Sequence, residues 1–173
     1  MGESCQDRLD SVRQCIGLLH TAQKEFYAGG SGDRLHSVLT HDVVWSVPGR
    51  NAIAGRYEGI ENVIAYFARR RDMAACTLSM QTHDLLVGQG DFVAALTDGR
   101  ATLDGVQRQW STVGVYQLRD DRVAACWLLP LDFDVFDRIW QAPTRASVHA
   151  NVTPAMLPPH SAPKAEKPED GPF

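Results

Sequence analysis

The sequence is short of the features that announce a chemistry outright. Its 173 residues hold four cysteines, Cys5, Cys15, Cys76 and Cys126, far apart and without a Cys-x-x-Cys pair. That spacing argues against a zinc ribbon, a dithiol redox motif and the disulfide framework of small secreted domains. No secretory leader is visible, so a reducing, cytoplasmic setting is the expectation. The six histidines form no His-Glu-x-x-His element. His36 and His41 suit neither one helix face nor one strand face, so no metal site is expected. No apolar run approaches membrane-spanning length, and no membrane partner is expected. Nor does one sign of charge dominate: the formal net charge is −4 and the pI about 5.8. A polyanion-binding surface is therefore not indicated, and nucleic acid is not an expected partner. The basic run Arg69-Arg70-Arg71 closes a helix, where cations complement the macrodipole.

What the sequence does hold is a hairpin, Phe92–Leu118, with Asp104-Gly105 at its tip. Asp-Gly between two alternating runs is a strong hairpin signal, because a type I′ turn needs positive φ at both central positions. With a two-residue loop, Leu103 faces Val106 and the whole register follows. Val93, Ala95, Thr97, Gly99 and Ala101 then share a face with Arg108, Trp110, Thr112, Gly114 and Tyr116. This face alternates small residues with aromatics and reads as concave, leaving a hollow rimmed by Trp110 and Tyr116. The other face carries Asp98 and Arg100 near the turn and an apolar half around Phe92, Leu96, Val113 and Val115. A single bulge in either strand would exchange its faces.

Around the hairpin, apolar spacing predicts helices over 7–28, 33–39 and 60–71 and strands over 43–47, 77–87 and 123–129. A short amphipathic segment follows at 132–140, and 51–59 reads as a Gly-punctuated connection. Residues 1–141 form one domain. From 142 to 173 the composition turns to Pro, Ala, Ser, Lys and Glu, which predicts a flexible tail. Residues 1–6 are expected to fray.

Three stretches suggest kinship. They are Val43-Val44-Trp45-Ser46-Val47-Pro48-Gly49, then Ala54-Gly55-Arg56-Tyr57-Glu58-Gly59, then Val113 to Val123 with Trp127. In these and in its element order the chain resembles the nuclear transport factor 2-like superfamily and, more narrowly, the SnoaL-like group of small bacterial polyketide cyclases. The resemblance implies an α+β fold, a cone-shaped curved sheet wrapped around three N-terminal helices, as in cystatin-like proteins. The stretch Val113–Asp137 is also similar to limonene epoxide hydrolase, which works with an Asp-Arg-Asp set; the resemblance puts its Arg on Thr97, its first Asp on Gly99 and its other Asp on Asp132. Ketosteroid isomerase, a further relative, has its oxyanion-stabilising Asp where Gly114 stands and its base at Val47. Neither charge set is present.

The candidate site is therefore read from the concave face. Trp45, Trp110 and Trp127 are expected to wall a flat hydrophobic ligand, although core packing is the commoner fate of a tryptophan. Ser46, Thr97, Thr112 and Tyr116 would orient it as neutral hydrogen-bonders, with Tyr116 also polarising a carbonyl. Asp132 is the acid/base candidate. An N-cap of the segment after it would call for the same residue. His20 and Tyr27 point from the first helix toward the cavity, while His41 and His83 are expected to be exposed.

The expected activity is a cofactor-independent cyclase or isomerase of bacterial secondary metabolism, acting on an apolar polyketide- or terpenoid-like molecule in a largely uncharged pocket. An epoxide hydrolase or epoxide-opening cyclase is the alternative if Asp98 and Arg100 turn inward. A non-catalytic small-molecule binder is another. The apolar half of the outer face predicts a homodimer.

Overall fold

The computed structural model describes residues 5–88 and 90–141. The expected tail over 142–173 and residues 1–4 of the expected frayed start lie outside the described residues, whereas Cys5 and Gln6 are already helical. Helix α1 (Cys5–Tyr27) buries Val12, Ile16, Leu19 and Phe26 at helical spacing. Helix α2 (Asp33–Val38) leads into β1 (Leu39–Val47). Residues 51–59, expected as a plain connection, contain a short edge strand, β2 (Gly55–Glu58), whose Tyr57 pairs with Trp45. Helix α3 (Ile60–Met73) follows, then β3 (Ser79–Val87), β4 (Phe92–Leu103), β5 (Val106–Arg119), β6 (Arg122–Pro130) and α4 (Phe133–Ile139).

The strands form a six-stranded sheet in the order β2-β1-β6-β5-β4-β3. Strands β1 and β6 run parallel, and every other neighbour pair is antiparallel. The β4–β5 ladder has the predicted register from Phe92↔Gln117 to Leu103↔Val106 without a bulge. Asp104 (φ 51°) and Gly105 (φ 75°) supply the turn. Val93, Ala95, Thr97, Ala101, Trp110, Thr112 and Tyr116 are buried, while Asp98 and Arg100 are exposed on the opposite face.

The face is concave toward the helices, but the predicted hollow beside Trp110 and Tyr116 is filled. A Cβ on Gly99 would lie 2.3 Å from the Trp110 ring, and one on Gly114 would lie 2.6 Å from the Tyr116 hydroxyl. The small residues make room for their aromatic neighbours, which lie down across the sheet. Trp110 then meets Trp140 at 5.1 Å and Phe136 at 6.5 Å between ring centroids, so the α4 end of the cone is solid core. Burying one such ring removes roughly 150–250 Å² from water, about 4–6 kcal/mol gross at ~25 cal/mol per Å². Trp45 sits at the centre, 5.0 Å from Phe67 and 6.0 Å from Tyr116.

Candidate functional site

An open space lies elsewhere, between the first helix and the edge strand. His20, Gln23 and Tyr27 follow one another at i, i+3 and i+7, which stacks them on one face of α1. Opposite stand Leu78 and, on β3, Met80 and Thr82. Together these residues line a cleft of about 180 Å³, bordered by Thr21 and Lys24.

His20 is fixed from both sides. Its Nδ1 is 2.7 Å from the Thr82 hydroxyl and its Nε2 is 3.4 Å from the Tyr116 hydroxyl. Burial disfavours the imidazolium and lowers the His20 pKa to about 4, so the ring is neutral at pH 7. Burial likewise pushes the Tyr116 phenol well above its ordinary range, so it remains a hydroxyl.

Behind Tyr27 lies a charge. Arg70 is only 3% exposed, and its Nη1 donates to the Tyr27 hydroxyl at 3.2 Å. Its guanidinium carbon stands 5.0 Å from the Trp140 ring and about equally far over Tyr27 (5.5 Å) and Tyr66 (5.6 Å). Burial opposes the charge, but the oxygens of Tyr27, Tyr66 and Tyr116 outweigh it, and the Arg70 pKa ends above its ordinary value. Among the described residues no carboxylate pairs with it. The Tyr66 hydroxyl is near enough to support the charge, yet it makes no hydrogen bond of ordinary geometry. The Tyr27 oxygen already accepts from Arg70, which leaves its own O–H as a donor.

The family model for the SnoaL-like domain matches residues 22–126, more than half of the chain. The chain belongs to the SnoaL-like domain family. A comparison with curated proteins finds no match. Among solved structures, Bal32a from a soil-derived mobile gene cassette superposes with a TM-score of 0.68 at 21% identity, covering 76% of this chain and 99% of that one. TerC, co-crystallised with polyporic acid, gives 0.61 at 16% identity, covering 74% and 98%. A candidate polyketide cyclase from Sinorhizobium meliloti gives 0.53 at 14% identity, covering 66% and 93%. Likeness at these identities establishes the fold, which is the nuclear transport factor 2-like or cystatin-like cone.

Within this SnoaL-like cone the predicted residues separate. Tyr116, Trp45, Thr97, Thr112 and Trp110 point inward and are buried. Tyr116 reaches the cleft only through His20, and Trp110 belongs to the packed end under α4. Thr97 Oγ1 and Trp45 Nε1 are buried without hydrogen-bond partners, whereas Thr112 donates to the Thr97 carbonyl at 3.5 Å.

Trp127 and Ser46 are on the wrong side for a pocket. They are register partners on the outer face, where Trp127 stacks with Phe92 at 6.2 Å. Asp132 is exposed and caps α4, its Oδ1 accepting from the Val135 N–H at 2.9 Å. It shares no cavity with Tyr116.

Asp98 bonds His83 Nε2 at 2.6 Å and accepts from Ser111 Oγ at 2.5 Å on the outer surface. The inward Asp98/Arg100 couple that an epoxide-opening mechanism requires is therefore not formed. Among the described residues no group of three His, Cys, Asp or Glu could hold a metal ion, and no helix is long and apolar enough to cross a membrane.

The core is also not uncharged, because Arg70 is buried behind Tyr27 rather than trailing at the helix end with exposed Arg69. Its signal was in the sequence: Arg70 stands seven residues after Val63 and three after Phe67, on the helix face that both bury.

Proposed function

We propose that this protein is a cofactor-independent cyclase or isomerase acting on an apolar, carbonyl-bearing small molecule of polyketide or terpenoid type, held in the α1–β3 cleft. The observation that carries the reading is the neutral His20, fixed by Thr82 and Tyr116 beside a tyrosine whose oxygen is already occupied by Arg70. This pairs a proton acceptor with an oxyanion donor inside one cleft.

A C–H next to the substrate carbonyl gives its proton to His20 Nε2, which exchanges its long contact with Tyr116 for the substrate. The C–H electrons move onto the carbonyl oxygen, which the Tyr27 O–H holds. The enolate carbon then attacks a second electrophilic carbon of the same chain, closing a ring, or takes the proton back at another position. An imidazolium formed in this environment is a strong acid, so the proton returns readily. Tyr27, Leu78 and Met80, by holding a flexible chain folded, lower the entropic part of the barrier.

The test is proton exchange. Tetralone, a bicyclic ketone of suitable size, is incubated with the protein in D₂O and its α-protons are followed by NMR. Exchange above background in the wild type, lost in His20→Gln and retained in Asp132→Asn, is the expected pattern. Exchange that survives His20→Gln at the wild-type rate would remove His20 from the mechanism. Exchange at the background rate in the wild type would favour a non-catalytic binder.

A further inference from the structure

We infer that Gln23 is a further substrate-binding residue, and that the substrate carries a hydroxyl on the carbon beside its ketone which donates to the Gln23 carboxamide oxygen. The inference rests on the α1–β3 cleft proposed above and adds a second polar group to the substrate. Gln23 lines that cleft but is only 2% exposed, and its Oε1 is buried without a hydrogen-bond partner. Glutamine is rarely so buried, and a covered amide oxygen left unpaired is destabilising. The terminal torsion of a glutamine is broad, and turning it presents the oxygen to the cleft.

The cleft does not supply the missing donor itself. Thr21 gives its hydroxyl proton to the Gly17 carbonyl at 2.8 Å, and Thr82 is bonded to His20. Tyr27 is joined to Arg70, and Lys24 is exposed at the rim. Leu78 and Met80 complete the lining and have no side-chain donor. An ammonium group on the ligand would also donate, but among the described residues no carboxylate lines the cleft to balance its charge. A neutral donor fits, and on a polyketide- or terpenoid-type molecule that donor is a hydroxyl. Its place follows from the helix. Gln23 stands three residues after His20 and four before Tyr27, between the proposed base and the proposed oxyanion donor. In the bound ketone these two hold the α-proton and the carbonyl oxygen, so a substituent on the α-carbon is the one that falls in front of Gln23.

Equilibrium dialysis of the full chain against tetralone, racemic 2-hydroxytetralone and 2-methoxytetralone tests this. The hydroxy ketone should bind roughly three- to tenfold more tightly than tetralone, the gain expected from one neutral hydrogen bond. The methoxy ketone keeps the oxygen but has no proton to give, and should show no such gain. Gln23→Met, similar in length and without the amide, should bind the hydroxy ketone and tetralone equally. The three-ligand comparison needs only the wild type, so the test stands even if Gln23→Met fails to fold. Equal affinities in the wild type would overturn the inference and leave the proposed function intact, with water satisfying Gln23. A gain shared by the methoxy ketone, or kept in Gln23→Met, would also overturn it, because other contacts would then hold the oxygen. Binding of none of the three would overturn the cleft reading as well.

Discussion

Lowering the pH should unfold this protein partly through one imidazole. His20 has a folded pKa of about 4 against an ordinary value of 6.5. Below 6.5 the unfolded chain binds a proton that the folded chain refuses, so the stability contributed by this group is full above pH 6.5. It declines as the pH falls and is gone near pH 4. The difference of 6.5 − 4 = 2.5 units at 1.36 kcal/mol per unit gives about 3 kcal/mol. That is a large part of the 5–15 kcal/mol typical of a domain. Urea denaturation at several pH values between 7 and 4 measures it, with His20→Gln run in parallel. Exposed carboxylates such as Asp98 and Asp42 titrate in both proteins and cancel in the difference. The wild type should lose about 3 kcal/mol relative to His20→Gln over this range. Parallel curves would show that His20 is not buried as a neutral ring, and the mechanism would lose its base.

Gly99→Ala places a methyl group where the Trp110 ring now lies, 2.3 Å from its nearest carbon. It should cost about 1–3 kcal/mol in chemical denaturation, and no loss would mean that the ring has room to move. A second copy is proposed to cover the outer face, where Phe92 is 47% and Leu129 43% exposed beside Trp127. Light scattering at micromolar concentration should give twice the chain mass of 19.1 kDa, and the single mass would refute the dimer.

How much of this was legible in the sequence depended on how local each determinant is. The β4–β5 faces could be read because Asp104-Gly105 fixes the register and no bulge interrupts the ladder. Trp127 could not be assigned, because a shift between Gln117 and Leu118 resets the phase of β6 against β5. Ser46 depended on the parallel pairing of β1 with β6, which is itself interrupted between Leu39 and Val44. Asp132 was ambiguous for a chemical reason, since a helix cap and a general acid both call for a carboxylate at that point. Arg70 was hidden by its neighbours, because a run of three arginines reads as a solvated helix end. Only the i+3 and i+7 relation to Phe67 and Val63 distinguishes the middle one. The small residues Gly99 and Gly114 showed that something must fit above them, but not that Trp110 and Tyr116 themselves would fill the space.

Everything proposed for the site depends on a ligand passing between α1 and β3 with its oxygen directed at Tyr27. Crystals grown with bromotetralone would test this most directly through the anomalous signal of the bromine. The expected result is a bromine peak between His20 and Met80, with the ketone oxygen toward the Tyr27 hydroxyl. A peak on the outer face beside Phe92 and Trp127, with the α1–β3 cleft holding only water, would contradict it.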